Sequence, residues 1–135
     1  MPDRCTYDYA IVRVVPRVER GEFVNVGAIV SSDAARYLAA RFAIDEMRLR
    51  AIDPRIDLAA VRSSLAAIAA VCSGGGAAGA IGRLTLRERF HWLVAPRSTI
   101  IQTSAVHTGR CDDLDGALEH LLDRMVRPLA PPDSP

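Results

Sequence analysis

A chain of 135 residues, half of them hydrophobic and 24% charged, has the composition of one globular domain with a real core, which excludes intrinsic disorder outside the ends. A net charge of +1 excludes bulk attraction to nucleic acid or to an acidic membrane, because attraction to phosphate needs a basic excess or a basic stripe. All 17 positive charges are arginine, so no mechanism that needs a lysine amine is open: no Schiff base, no phosphate-loop lysine, no lysine base.

The elements follow in chain order. Residues 7–15 are aromatic and β-branched and predict a strand, closed by Pro16. Residues 23–31 predict a second strand, and Gly21 between them predicts a hairpin. With the turn centred near Glu19, Val12 faces Val26, Val14 faces Val24 and Ala10 faces Ala28, giving one wholly apolar face. The same register sets Arg13 opposite Asn25 on the other face, and a slip by one residue would break the apolar set. Residues 36–43 predict a third strand, and 45–51 a short helical turn.

Asp53-Pro54 or Asp57 caps the next helix. Leu58, Val61, Leu65, Ile68 and Cys72 form its apolar stripe, and Ser73-Gly74-Gly75-Gly76 ends it. Thr85-Leu86-Arg87-Glu88 is a capping box for a helix that carries Leu86, Phe90, Leu93 and Val94 and stops at Pro96. Residues 99–103 predict a strand. Asp112, Asp113 and Asp115 open a last helix with Leu114, Leu118, Leu121, Leu122 and Met125 on its apolar face. The order predicts an α+β fold: a mostly antiparallel sheet opened by an N-terminal hairpin, with about three helices packed on one face. The domain spans 1–127, and 128–135 is a disordered tail. The opposite sheet face, bearing Arg13 and Asn25, would be partly open or covered by a partner.

The start, Met1-Pro2-Asp3-Arg4, leads into alternating polar and apolar residues and not into the apolar run of a signal peptide. No stretch approaches the roughly 20 apolar residues of a membrane span. The three cysteines, Cys5, Cys72 and Cys111, are odd in number and far apart, unlike a secreted disulfide framework. These features predict a cytoplasmic chain without membrane association.

Two stretches concentrate the groups that bind or react. Residues 19–27 hold the only Asn, Asn25, and residues 95–109 hold the only Gln, Gln102. Candidate ligand- or partner-binding residues are Arg13, Glu22, Asn25, Arg97, Ser98, Thr99, Gln102 and His107. Arg97-Ser98-Thr99 follows a helix-stopping proline, where a guanidinium fork, two hydroxyls and free backbone donors suit an anion. The blander reading is an arginine that ties a loop by bonding the carbonyls of the helix end, with the hydroxyls satisfying the turn. His107 alone is a catalytic candidate, and no metal or cofactor is expected. His107 and Cys111 lack two further good ligands for a metal, and a Cys–His pair lacks an orienter and an oxyanion hole. The segment Ser73 to Gly79 has no lysine and no preceding strand, so it is a linker and not a phosphate loop. Trp92 belongs to a core or an interface, since base stacking needs interleaved aromatics. Charge is uneven, with net +3 over residues 83–97 and −5 over 112–123. Three readings fit the two stretches: solvated helix faces, pairing with each other, or docking to a partner.

The segments YDYAIVRVVPRVERGEFVNVG (Tyr7 to Gly27) and RERFHWLVAPRSTIIQTSAVHTG (Arg87 to Gly109) resemble the two hallmark segments of an uncharacterised bacterial family, domain of unknown function 3037. The likeness extends from about residue 7 to residue 127. Ala105 stands where relatives are expected to carry proline, a change that bears on a bend more than on chemistry. The family carries no established activity. Some members are encoded beside kinases resembling the HipA toxin family, which implies a small accessory or regulatory protein.

The resulting expectation is a binding or interaction domain, the regulatory partner of a HipA-like kinase, recognising through Arg13, Asn25 and Arg97. The alternative is a small enzyme or sensor for a phosphorylated or nucleotide ligand, with Arg97 and Ser98 gripping the anion and His107 moving protons.

Overall fold

The computed structural model describes residues 4–132. Strands β1 (Cys5–Val14), β2 (Val24–Ser32) and β3 (Tyr37–Phe42) form an antiparallel meander. Helices α1 (Glu46–Ile52), α2 (Leu58–Ser73) and α3 (Leu86–Val94) follow. Two short outer strands, β4 (Ile101–Thr103) and β5 (His107–Cys111), come next, then α4 (Leu114–Leu121), which runs into a π turn, Leu122–Val126. Both outer strands pair antiparallel with β1, so the sheet order is β3-β2-β1 with β4 and β5 end to end along the far edge. The fold is α+β with a mostly antiparallel sheet opened by a hairpin, in agreement with the sequence.

The helix starts are those the sequence marks. Asp57 accepts from the Ala60 amide at 3.0 Å and caps α2. At α3 the Thr85 hydroxyl accepts from the Glu88 amide while the Glu88 carboxylate accepts from the Thr85 amide, satisfying two otherwise unpaired donors. After α2, the glycine-rich linker forms two 3-10 turns, Gly76–Ala78 and Ile81–Arg83. Arg89 of α3 closes the helix end beside it, donating to the carbonyls of Val71 and Cys72 at 2.8 and 2.7 Å.

Val12, Val14, Val24, Val26 and Ile29 pack against α1–α3 through Leu49, Val61, Leu65, Phe90 and Leu93. Ile11, Ala28 and Val30 point the other way and pack against Leu118, Leu121, Leu122 and Val126. Helices α1, α2 and α3 therefore lie on one face, whereas the last helix, expected from the sequence to share that face, lies on the other. That face is covered from within the chain rather than left open. An apolar helix face and an apolar strand set are each unstable in water alone, and the chain brings its own complement to both faces.

The hairpin register matches the sequence at its turn end, where Arg13 pairs with Asn25 and Val14 with Val24. From Val12 onward a bulge shifts it by one residue, so Val12 faces Gly27 instead of Val26, and Ala28 faces Ile11 instead of Ala10. Val12 and Val26 still share a core, while Ala28 moves to the α4 face.

The π turn has a similar effect on the last helix. The Arg127 amide bonds the Leu122 carbonyl, five residues back, at 2.8 Å. The wider turn brings Val126 into the core and leaves Met125 45% exposed, against the sequence expectation. Acidic residues of α4 bond Arg41 of β3 and Arg127: Glu119 bonds both, at 2.9 and 2.5 Å. They do not pair with the basic stretch 83–97. Pro128 to Pro132 form no helix or strand. The last three residues of the expected tail, and Met1 to Asp3 of the start, lie outside the described residues. No helix among the described residues is long and apolar enough to cross a membrane.

Candidate functional site

The two polar stretches flank the same half of β1. Arg13 pairs with Asn25 on one side and with Gln102 on the other. Opposed residues of neighbouring strands point to one face, so Asn25, Arg13 and Gln102 form a polar row across three strands, on the α4 face.

Each amide is anchored through its nitrogen. Asn25 Nδ2 donates to the Met125 carbonyl at 3.0 Å, a carbonyl at the π turn. Gln102 Nε2 donates to the Thr99 carbonyl at 2.9 Å. Both oxygens are thereby left as acceptors. The Arg13 guanidinium lies over the Phe23 ring, 4.1 Å from its centroid. Arg13 Nε and Asn25 Oδ1 are buried without a partner. They belong to directly opposed residues, one a donor and the other an acceptor. Phe23 was not picked out in the sequence; its position two residues before Asn25 was the available signal.

Arg97 is occupied elsewhere. It donates to the Leu93 and Trp92 carbonyls at 2.9 and 2.6 Å and stacks over the Trp92 ring at 4.5 Å. Those carbonyls belong to the last turn of α3, where no further helical amide can reach them and where a cation suits the dipole. The loop-tying geometry weighed for Arg97 in the sequence is the one seen. Arg97→Ala should lower stability by about 1–2 kcal/mol, from two charge-assisted hydrogen bonds at a partly solvated position; urea unfolding checks this.

Thr99 donates its hydroxyl to the Ile101 carbonyl at 2.9 Å. Ser98 is exposed, and Glu22 pairs with Arg20 at 2.5 Å. Arg97 and Trp92, with Ser64, Ile68 and Ile100, border a mainly apolar pocket of about 300 Å³.

His107 lies on β5, after this turn. It faces Tyr9 across the β1–β5 ladder, with ring centroids 5.4 Å apart. The Ile100 carbonyl, three residues after Arg97, bonds the Val15 amide at 2.7 Å, just beyond β1. Tyr9 and Val15 are roughly 20 Å apart along an extended chain. The geometry brings Asn25, Arg13 and Gln102 together; Arg97 borders a cleft with Gln102, Ser104 and Val106, and His107 is not in its lining.

Between the outer strands, Ser104 carries the ladder with its side chain. Its amide donates to the Ile11 carbonyl at 2.8 Å, and its hydroxyl accepts from the Ile11 amide at 2.9 Å. The hydroxyl thus stands in for a backbone carbonyl at the bend containing Ala105. Among the described residues, no group of three or more His, Cys, Asp or Glu side chains is placed to hold a metal ion.

No curated protein and no solved structure matches the chain. The family model described as Protein of unknown function (DUF3037) matches residues 9–126, from the middle of β1 to the end of the π turn and across both polar stretches. The chain belongs to that family.

Proposed function

We propose that the chain is a binding domain that recognises a carboxylate-bearing segment of a protein partner, with Arg13 at the centre of the contact. One observation carries the reading: the Arg13 guanidinium, half-buried and stacked on Phe23, has no hydrogen-bond or ion-pair partner among the described residues. The other buried or half-buried arginines that hold the fold, such as Arg89 and Arg41, are bonded. A guanidinium held by an aromatic ring and flanked by two amides is pre-organised for a carboxylate, so less side-chain entropy is lost on binding. The exposed Phe23 ring adds apolar contact area beside the charge. A HipA-like kinase, the neighbour implied by the family resemblance, is the first partner to try.

The test is affinity capture from the native host at endogenous level, with bound proteins and small molecules both identified. Wild type, Arg13→Ala and Arg97→Ala are run in parallel. Arg13→Ala should retain at least tenfold less of the partner, about 1.4 kcal/mol at this ratio, and Arg97→Ala should retain it. Binding by wild type should weaken as salt is raised. Equal capture by Arg13→Ala and wild type ends this reading.

A further inference from the structure

The three cysteines, which make no disulfide framework by number, divide in the fold into one and two. Cys72 lies in the buried stripe of α2. Burial, partly offset by the Arg89 charge, pushes its thiol up to about 12. It is a core residue and a poor nucleophile. Cys5 and Cys111 are half-buried and directly opposed, on the outermost rung of the β1–β5 ladder.

We propose that Cys5 and Cys111 are a reversible disulfide site, closed by exchange with a small disulfide of the glutathione class. The argument is geometric. Opposed residues of an antiparallel pair have Cα atoms about 4.5–5.5 Å apart, and disulfides span Cα distances of about 4.4–6.8 Å. Their side chains leave the sheet on the same face. Closing the bond therefore needs side-chain rotation and no new strand pairing. The half-exposed edge position gives a small oxidant access to the pair.

The exchange balances in two displacements. Burial first of all holds the Cys111 thiol above its ordinary value; the exchange is written with Cys5 opening it, and the reverse order gives the same products. The Cys5 thiolate attacks one sulfur of oxidised glutathione, forms a mixed disulfide and releases one glutathione thiolate. The Cys111 thiolate then attacks the Cys5 sulfur, forms the intramolecular disulfide and releases the second glutathione thiolate. The protein loses two thiol protons and two electrons, and the oxidant is reduced to two thiols.

The bond would tie the start of β1 to the end of β5 and enclose α1–α3 and every other strand. Closing a loop of on the order of 100 residues lowers the unfolding constant by about a thousandfold in the chain-entropy account. The pair would make stability answer to the thiol–disulfide balance around the protein.

The experiment incubates the full chain in buffers of increasing oxidised-to-reduced glutathione ratio, then quenches, digests without reduction and maps the peptides by mass. The expected product is one Cys5–Cys111 linkage within a monomer, reversed by dithiothreitol, with a higher urea midpoint. Cys72→Ala should still form it, and Cys5→Ser and Cys111→Ser should not. In the native wild type Cys72 should resist alkylation and react only on unfolding. Free Cys5 and Cys111 under oxidising buffer, stable glutathione adducts on either, or a linkage between two copies would each overturn the proposal. These readouts use wild type alone, so a variant that fails to fold does not shield it. None involves Arg13, so the carboxylate-binding reading stands or falls separately.

Discussion

Leu118→Ala should lower stability by about 2–5 kcal/mol, the range for removing a buried leucine from a core that cannot fully collapse. Leu118 is fully buried where α4 meets Ile11, Ala28 and Val30. The value decides what α4 is. An ornament on a finished sheet would make the truncation a surface change of about 0.5 kcal/mol or less. A second core makes it comparable with Leu49→Ala, which empties the corresponding place on the α1–α3 face. Urea unfolding of both variants, followed by circular dichroism, gives the comparison. The two should also unfold in single transitions with unchanged slopes, because β1 and β2 are common to both cores.

Gly27→Ala should cost about 1–3 kcal/mol, through overpacking rather than through a lost contact. A methyl group there would collide with the Phe42 ring and stand 2.6 Å from the Arg41 carbonyl oxygen. The ring could rotate, but the carbonyl belongs to the β2–β3 ladder and cannot retreat without breaking the pairing. Gly21→Ala is the contrast. A methyl group there meets nothing within 4 Å, but φ is +71°, so its cost is conformational strain, about 1 kcal/mol. Thermal unfolding of the two variants should rank Gly27→Ala as the less stable.

Elements with local punctuation were legible in the sequence. Thr85 and Glu88 mark the start of α3, Asp57 that of α2, and Tyr7 to Val15 announce β1 because their alternation and branching suit a pleated surface. The bulge was hidden because Val26 to Val30 are apolar throughout. With both faces covered, a one-residue shift leaves no polar residue misplaced to reveal it. β5 was hidden for the opposite reason: His-Thr-Gly-Arg-Cys has a glycine at its centre and no apolar alternation, and it owes its strand state to the neighbouring β1. The π turn changes which residue is buried without changing composition. At the candidate site, the opposition of Arg13 and Asn25 followed from the hairpin. Gln102 joined the row through pairing distant in sequence, and the bonding of Arg97 to Trp92 and Leu93 depended on the local path of the chain after Pro96.

The hydroxyl that replaces a carbonyl at Ser104 also bears on how the molecule behaves among its own copies. A long, flat outer strand presents a row of unpaired amides and carbonyls on which another chain can build, the usual beginning of edge-to-edge aggregation. Here the outer strand is broken into segments of three and five residues, Ile101–Thr103 and His107–Cys111. The residues between them, 104–106, belong to neither strand. An incoming strand would lose register at the break, and Gly109 and Arg110 beyond it make a poor template. The same residue that completes the ladder inward thus marks the break outward, which makes this edge a poor place for a second copy to add a strand.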